Sequence, residues 1–480
     1  MERIQQYLDV VPLPLLGLGA IAAAMVFLLI PPRLRLPSML IFMVVWVTVS
    51  RLSGLGIIAG VAKVSAVGAY LAVAVAAQID PGPKRPVPPV GYIYPLMAFV
   101  SILFILTVTD VSLALALRVQ WIALVFAAIA VARTVVDAAS LMRVLAPIVI
   151  GLVISTGITM APLLLNPGDA FRAGLGRFEP YGASSNQIGV AFSMMIVFGF
   201  LGMQLVRNIM YKVVLGGAAG AALGMGLLTG SRSTMITAIV PLIPQLRGLI
   251  KRPVVLVLVG ILAVSLIPFV LGKSEDNTFK RFGSLETSRV QIFVQYVTGS
   301  IAERPLLGLT GTTGQSFIGD DEADSHSHNA YLDLAYQGGI IYLFPMLVVV
   351  GYTFYCMLYT WKNRRLVYDV EPLMISVLAV QLGMMYAHGF VNGAIYYPTY
   401  VWAFVHVLLS LIFMGMAHDI KLGGFGIRTG ALGLAYSDAD SYGDYDDADY
   451  GQHQYGQDEY RESGYDYDAD EPYGPSQERA

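Results

Sequence analysis

Apolar residues fill the first 417 positions in runs of about twenty, broken by short polar connectors, and this pattern stops abruptly in the last sixty residues. The runs predict helices at roughly 10–30, 37–50, 54–78, 92–110, 111–132, 143–165, 186–206, 211–229, 233–246, 253–272, 337–361, 371–395 and 398–417. A helix rises about 1.5 Å per residue, so about twenty apolar residues cross a ~30 Å hydrocarbon core. In lipid the backbone must pair its own N–H and C=O groups, which a helix does within one segment. The pattern therefore predicts an all-α polytopic membrane protein. The segment 233–246 is short and the break at 110/111 is tight, so the count is 12–13 transmembrane helices. The first run is followed by many others and reads as a retained helix, not a cleaved signal.

Composition agrees: 56% of the 480 residues are hydrophobic, 13% are charged, and the mean hydropathy is +0.64. The single cysteine, Cys356, excludes an intramolecular disulfide and a cysteine-rich metal site. Net charge of −3 hides two opposite parts. Residues 436–480 hold fourteen Asp/Glu against two Arg, while 1–435 hold 28 basic against 19 acidic residues. The chain divides into a polytopic membrane domain, 1–417, and an acidic Tyr/Asp-rich tail, 418–480. The tail has too little apolar surface to offset its ordering entropy and is expected to be disordered. It is a solvated cytoplasmic segment or a docking segment for an unknown partner.

Basic residues in short connectors set the orientation of a multi-pass protein, because they stay on the cytoplasmic side. Arg33/Arg35, Lys84/Arg85, Arg133/Arg143, Arg207/Lys212, Arg247–Arg252, Lys362–Arg365 and Lys421–Arg428 occupy every second connection. This places the N-terminus outside and the C-terminus inside. It also places two polar segments outside: 166–185 and a large exported loop, 273–336, expected to carry short helices.

Four outer stretches carry candidate chemistry: "RAGLGRFEPYGASSNQIG" (172–189), "LLTGSRSTM" (227–235), "SLETSRVQIF" (284–293) with "ERPLLGLTGTTG" (303–314), and "SHSHNAYLDLAYQGGIIYLFP" (325–345). Arginine is costly inside a bilayer, and its planar fork of donors suits phosphate oxygens. Arg172, Arg177, Arg232 and Arg289 are therefore either snorkelling and turn residues or, together, an anionic head-group site. His328 can accept a proton from an attacking hydroxyl near neutral pH. A short helix starting near Asn329, before Gly338–Gly339, would hold it at the membrane surface. His326 could join Asp320, Asp321 and Asp324 as a hard-cation site, although the spacing matches no metal loop. "GLTGTTG" lacks the Gly-Lys-Ser/Thr ending and βαβ setting of a nucleotide loop and reads as a turn. Lys63 and Arg118 are intramembrane charges, and Asp110 could pair with Arg118. His388 and Asn392, toward the outer end of their helix, could face the same cavity.

Gly230–Ser231–Arg232, Ser288–Arg289 followed by Arg304–Pro305–Leu306–Leu307–Gly308, His328–Asn329 with Gly338–Gly339, and "SSNQIG" at 184–189 together resemble the O-antigen ligase and Wzy-type polymerase superfamily. The motifs span about 172–345, and the helix count extends the likeness over nearly all of 1–417. The resemblance implies a GT-C-like fold. It implies transfer of a glycan from a polyprenyl-pyrophosphate donor to an acceptor hydroxyl of a glycan, lipid or protein, outside the inner membrane of a bacterial cell. By position, Arg232 and Arg289 would hold the pyrophosphate and His328 would be the base, with Arg172, Arg177, Asn329, His326 and His388 contacting substrate. The reaction would be metal-independent and inverting, with no cofactor and no nucleic-acid partner. The acidic run ahead of His326 and the Tyr/Asp tail are not features of that family. A polymerase of lipid-linked repeats is the close alternative. A transporter or flippase is the alternative of another class, although such proteins concentrate polar groups at the midplane.

Overall fold

The computed structural model describes residues 27–103, 111–171, 177–250, 296–302, 305–308, 329–367 and 370–422. The expected helix at 253–272, most of 10–30, the body of the 273–336 loop and the tail from 423 lie outside them, as do Arg172, Arg289, His326, His328, Asp110 and the acids at 320–324. The described chain is helical, with one isolated bridge between Phe171 and Phe178. Its main helices are α1 (Pro32–Val49), α2 (Ile57–Ile79), α3 (Ile93–Leu103), α4 (Val111–Thr134), α5 (Ala138–Leu165), α6 (Ser185–Leu205) and α7 (Ile209–Leu228). The remainder are α8 (Arg232–Ile239), α9 (Ile243–Ile250), α10 (Ala330–Lys362), α11 (Pro372–Gly389) and α12 (Val401–Lys421). Among the described residues nine helices are long and apolar enough to cross a membrane, namely α1, α2, α4, α5, α6, α7, α10, α11 and α12. The chain is thus an all-α, multi-pass membrane protein.

The helix most enclosed is α12, with 94% of its apolar window buried, against 33% for α2 and α10. It packs on α4, α6, α10 and α11 and forms the axis of the bundle. Lipid gives no hydrophobic drive for helix association, so close approach through small residues matters. The tightest pair, α6 with α7, meets at Gly199 against Ala219 and at Gly216 against Met203.

The basic connectors gather at one end of the bundle. There Arg143 bonds both carboxylate oxygens of Asp80 at 3.1 and 2.5 Å and also the Arg33 carbonyl. Arg85 meets Asp419 at 3.3 Å and donates its backbone N–H to Arg133. The ammonium of Lys421 sits 4.9 Å from the Tyr355 ring centroid. At the opposite, loop end the chain segments around 51–53, 177–187, 229–231 and 399–400 bond to one another. These bonds join the segments near 33, 80–85, 133–143 and 419 to one another, and those near 51, 177–187, 229 and 400 to one another.

Several boundaries differ from the sequence reading: three helices begin five to seven residues early, at Pro32, Ala138 and Ala330, and three further differences concern 371–395, 233–246 and the last helix. The expected helix 371–395 ends at Gly389, and 390–400 instead folds into the bundle, burying Ile395, Tyr396 and Thr399. Non-helical backbone is tolerated at membrane depth only when enclosed by protein. The Pro398 carbonyl, freed from any helix, accepts from the Tyr70 hydroxyl at 2.8 Å and from Gln120 at 3.3 Å. The short segment 233–246 becomes α8 and α9, joined by a 3₁₀ turn at Val240–Leu242 that contains Pro241. The last helix runs to Lys421, so the tail begins a few residues beyond 418.

Candidate functional site

At the loop end, the motifs read separately along the chain meet in two pairs, 177–189 with 229–235 and 305–308 with 336–341. Gly230, at φ +63°, turns the chain from α7 into α8, and Arg232 is the first residue of α8, half-buried. The Thr234 hydroxyl donates to Ser231 at 2.8 Å, and a Cβ on Gly189 would lie 2.5 Å from that hydroxyl oxygen. The "SSNQIG" start of α6 therefore rests directly on the Gly-Ser-Arg turn. Arg177 ties both to the preceding segment: its Nε donates to the Thr229 carbonyl at 2.9 Å and a terminal nitrogen to Asn186 Oδ1 at 3.2 Å. The Phe178 N–H adds a bond to the Leu228 carbonyl at 3.1 Å.

The sequence reading missed the next residue along α6. Gln187 accepts from Arg51, whose guanidinium also reaches the Tyr400 hydroxyl at 2.9 Å and Thr399 at 3.3 Å and lies 4.6 Å from the Tyr400 ring centroid. Burial pushes the Tyr400 phenol up, and Arg51 offsets part of that. Arg51 and Arg177 thus grip successive residues in the first turn of α6. The N-terminus of a helix already carries partial positive charge. Two guanidinium groups meet there, Arg51 on Gln187 and Arg177 on Asn186, and the turn that carries Arg232 packs against the same helix start. Glu179, which accepts from Ser185 at 3.0 Å, is the carboxylate that bonds into this turn. A signal for Arg51 did exist: it is an arginine at the end of a helix that the charge pattern places outside, against the rule for short loops.

The second part of the site is the start of α10. Asn329 caps it, its Oδ1 accepting from the Tyr331 and Leu332 N–H groups at 3.0 and 3.1 Å. This is the short helix expected after His328, and Asn329 is buried at its head. The helix breaks at Gly339, where φ is +60°. The N–H of Ile340 is satisfied by the Pro305 carbonyl at 2.8 Å. Gly308, at φ +72°, sits so close to Tyr336 and Gly338 that any Cβ would strike their backbone, and a Cβ on Gly339 would strike Leu306. "PLLG" (305–308) and "QGG" (337–339), about thirty residues apart, are one interlocked unit. Both glycines need the left-handed region that side chains disfavour.

Arg118, 6% exposed, donates to Gln337 Oε1 at 3.3 Å and so holds the α10 start against α4, a partner the sequence reading did not name. His388 is buried at the end of α11, its ring 5.7 Å from that of Trp402. It packs into the bundle beside the 399–402 segment that Arg51 contacts. Lys63 is exposed. Among the described residues no three His, Cys, Asp or Glu side chains are grouped to hold a metal ion. Of the eight predicted site residues, the structure places Arg177, Arg232, Asn329 and His388 at the loop end and joins Arg177 to the Arg232 turn. No protein-family model matches the chain, and no curated protein matches it.

Proposed function

We propose that this chain is an envelope glycan transferase, moving a polyprenyl-pyrophosphate-linked oligo- or polysaccharide to an acceptor hydroxyl on the outer side of a bacterial inner membrane, in the manner of an O-antigen ligase. The observation that carries the reading is the convergence of Arg51 and Arg177 on the first turn of α6, with the Arg232 turn packed against it. Such a locus suits a ligand with several negative oxygens held at a membrane surface. Arg172, Arg177, Arg232 and Arg289 would hold the pyrophosphate. His328, next to the Asn329 cap, would be the base, and His326 and His388 would border the acceptor.

The chemistry is a single displacement. The acceptor oxygen attacks the anomeric carbon, its proton passes to His328, and the bond from that carbon to the pyrophosphate oxygen breaks with inversion. Negative charge grows on the leaving group, where fixed guanidinium groups stabilise it. Pyrophosphate is a good leaving group, so no nucleotide is consumed. The test is purified protein given a lipid-pyrophosphate glycan and candidate acceptors, with and without chelator. The expected result is product that is insensitive to chelator. Failure of every acceptor, including a second lipid-linked repeat, would overturn the reading. Product only with that repeat would assign a Wzy-type polymerase.

One observation favours a transporter. The 390–400 connection, at the loop end, is buried and largely irregular, and buried irregular backbone is what transporters use at their binding sites. Proteoliposomes loaded with lipid-linked glycan separate the two readings: translocation without bond formation supports transport.

A further inference from the structure

At the end opposite the proposed site, α5, α6 and α7 enclose an apolar groove of about 550 Å³. Leu145, Val149 and Val153 of α5, Leu201 of α6 and Leu215 of α7 form its walls. It extends along α5 from Met142 to Ile154. That is roughly 18 Å at helical rise, close to one leaflet of a ~30 Å hydrocarbon core. Exposed Ile150, Ile154, Val213 and Val214 flank it, so its open side faces the surface a bilayer would cover. Its lining continues through Leu205, Val206 and Tyr211, which bracket the α6–α7 connection. Arg207 in that connection is exposed, and Lys212 is half-buried beside Tyr211. Neither forms an ion pair among the described residues, whereas Arg143 at the same end is taken by Asp80.

We propose that the groove holds one acyl chain of an anionic phospholipid, with the lipid phosphate between Arg207 and Lys212. Each part of the site excludes other occupants. A polar headgroup has no partners along the Leu/Val walls, and a neutral lipid leaves both cations unanswered. Two cations at the connection next to Val206 and Tyr211, at the end of an apolar trough of one leaflet's depth, match an anionic lipid in both charge and length. The polyprenyl chain of the proposed donor would enter from the loop end, where the arginines are. This site is therefore independent of the glycan-transfer reading.

The experiment exchanges full-length protein into nanodiscs containing phosphatidylcholine and phosphatidylglycerol and identifies retained lipid by native mass spectrometry. Wild type is expected to retain phosphatidylglycerol over phosphatidylcholine by on the order of tenfold, from two cations near the surface. The surface double variant Arg207→Gln with Lys212→Gln should lose that preference but still retain lipid. Val153→Trp, which fills the groove, should lower retention of both lipids. Equal retention by wild type, an unchanged preference in the double variant, or preferential capture of added polyprenyl phosphate would overturn the proposal.

Discussion

The two ends of the bundle hold their arginines in opposite ways. At one end Arg143 and Arg85 are answered by Asp80 and Asp419, one carboxylate for each guanidinium. Burial lowers the Arg85 pKa and Asp419 opposes that fall, so the pair holds together out of water. At the other end Arg51 and Arg177 bond to amide, hydroxyl and carbonyl oxygens of the α6 start and of the segments around it. One end is tied by paired charges, whereas at the loop end arginine donors strap neutral groups of separate segments together, the arrangement on which the proposed anion site rests.

The comparison can be broken most decisively at the residue carrying the proposed proton transfer. His328→Ala should abolish glycan transfer, a loss of about 10²–10⁴-fold, while the protein accumulates in the membrane as before. Unchanged envelope glycan profiles with normal protein levels would remove the base from the scheme. At the neutralised end the effect should be on stability alone. Arg85→Ala strands Asp419 and should cost about 3–5 kcal/mol in thermal or denaturant unfolding, with transfer per folded molecule unchanged. If activity falls without a stability loss, the division between the ends fails.

Smaller effects sharpen the loop end. Gly339→Ala forces a side chain into the left-handed region against Leu306 and should destabilise the α10 start by about 1–3 kcal/mol, measured by hydrogen exchange of the Ile340 amide. Arg51→Gln should raise the KM for the lipid-pyrophosphate donor roughly tenfold and leave kcat nearly unchanged, since one charge-assisted contact is lost and the base is untouched. A drop in kcat with constant KM would make Arg51 a structural strap instead.

Much of the fold was legible because its signals are local. Length and hydropathy of the apolar runs located the membrane helices of the described residues. The α10 start was also legible: an asparagine ahead of apolar positions is a cap, and its Oδ1 does cap that turn. The reading erred at 390–400, where an apolar composition resembled continued helix. Gly393 and Pro398 there serve a buried connection instead. It also missed Arg51, because its partners lie 136 and about 350 residues away.

The sequence by itself determined that this is an all-α membrane chain, where most of its described spans fall, and which short motifs carry arginine, histidine and glycine. Only the tertiary structure decided that "PLLG" locks into "QGG", that Gly189 seats α6 on the Gly-Ser-Arg turn, that Arg118 bonds Gln337, and that α12 is the most enclosed helix. The reason is physical. Burial in lipid is a property of each segment and is written in its own residues. Partnership between polar groups across a bundle depends on helix rotation and depth, which packing sets through contacts between residues far apart in the chain.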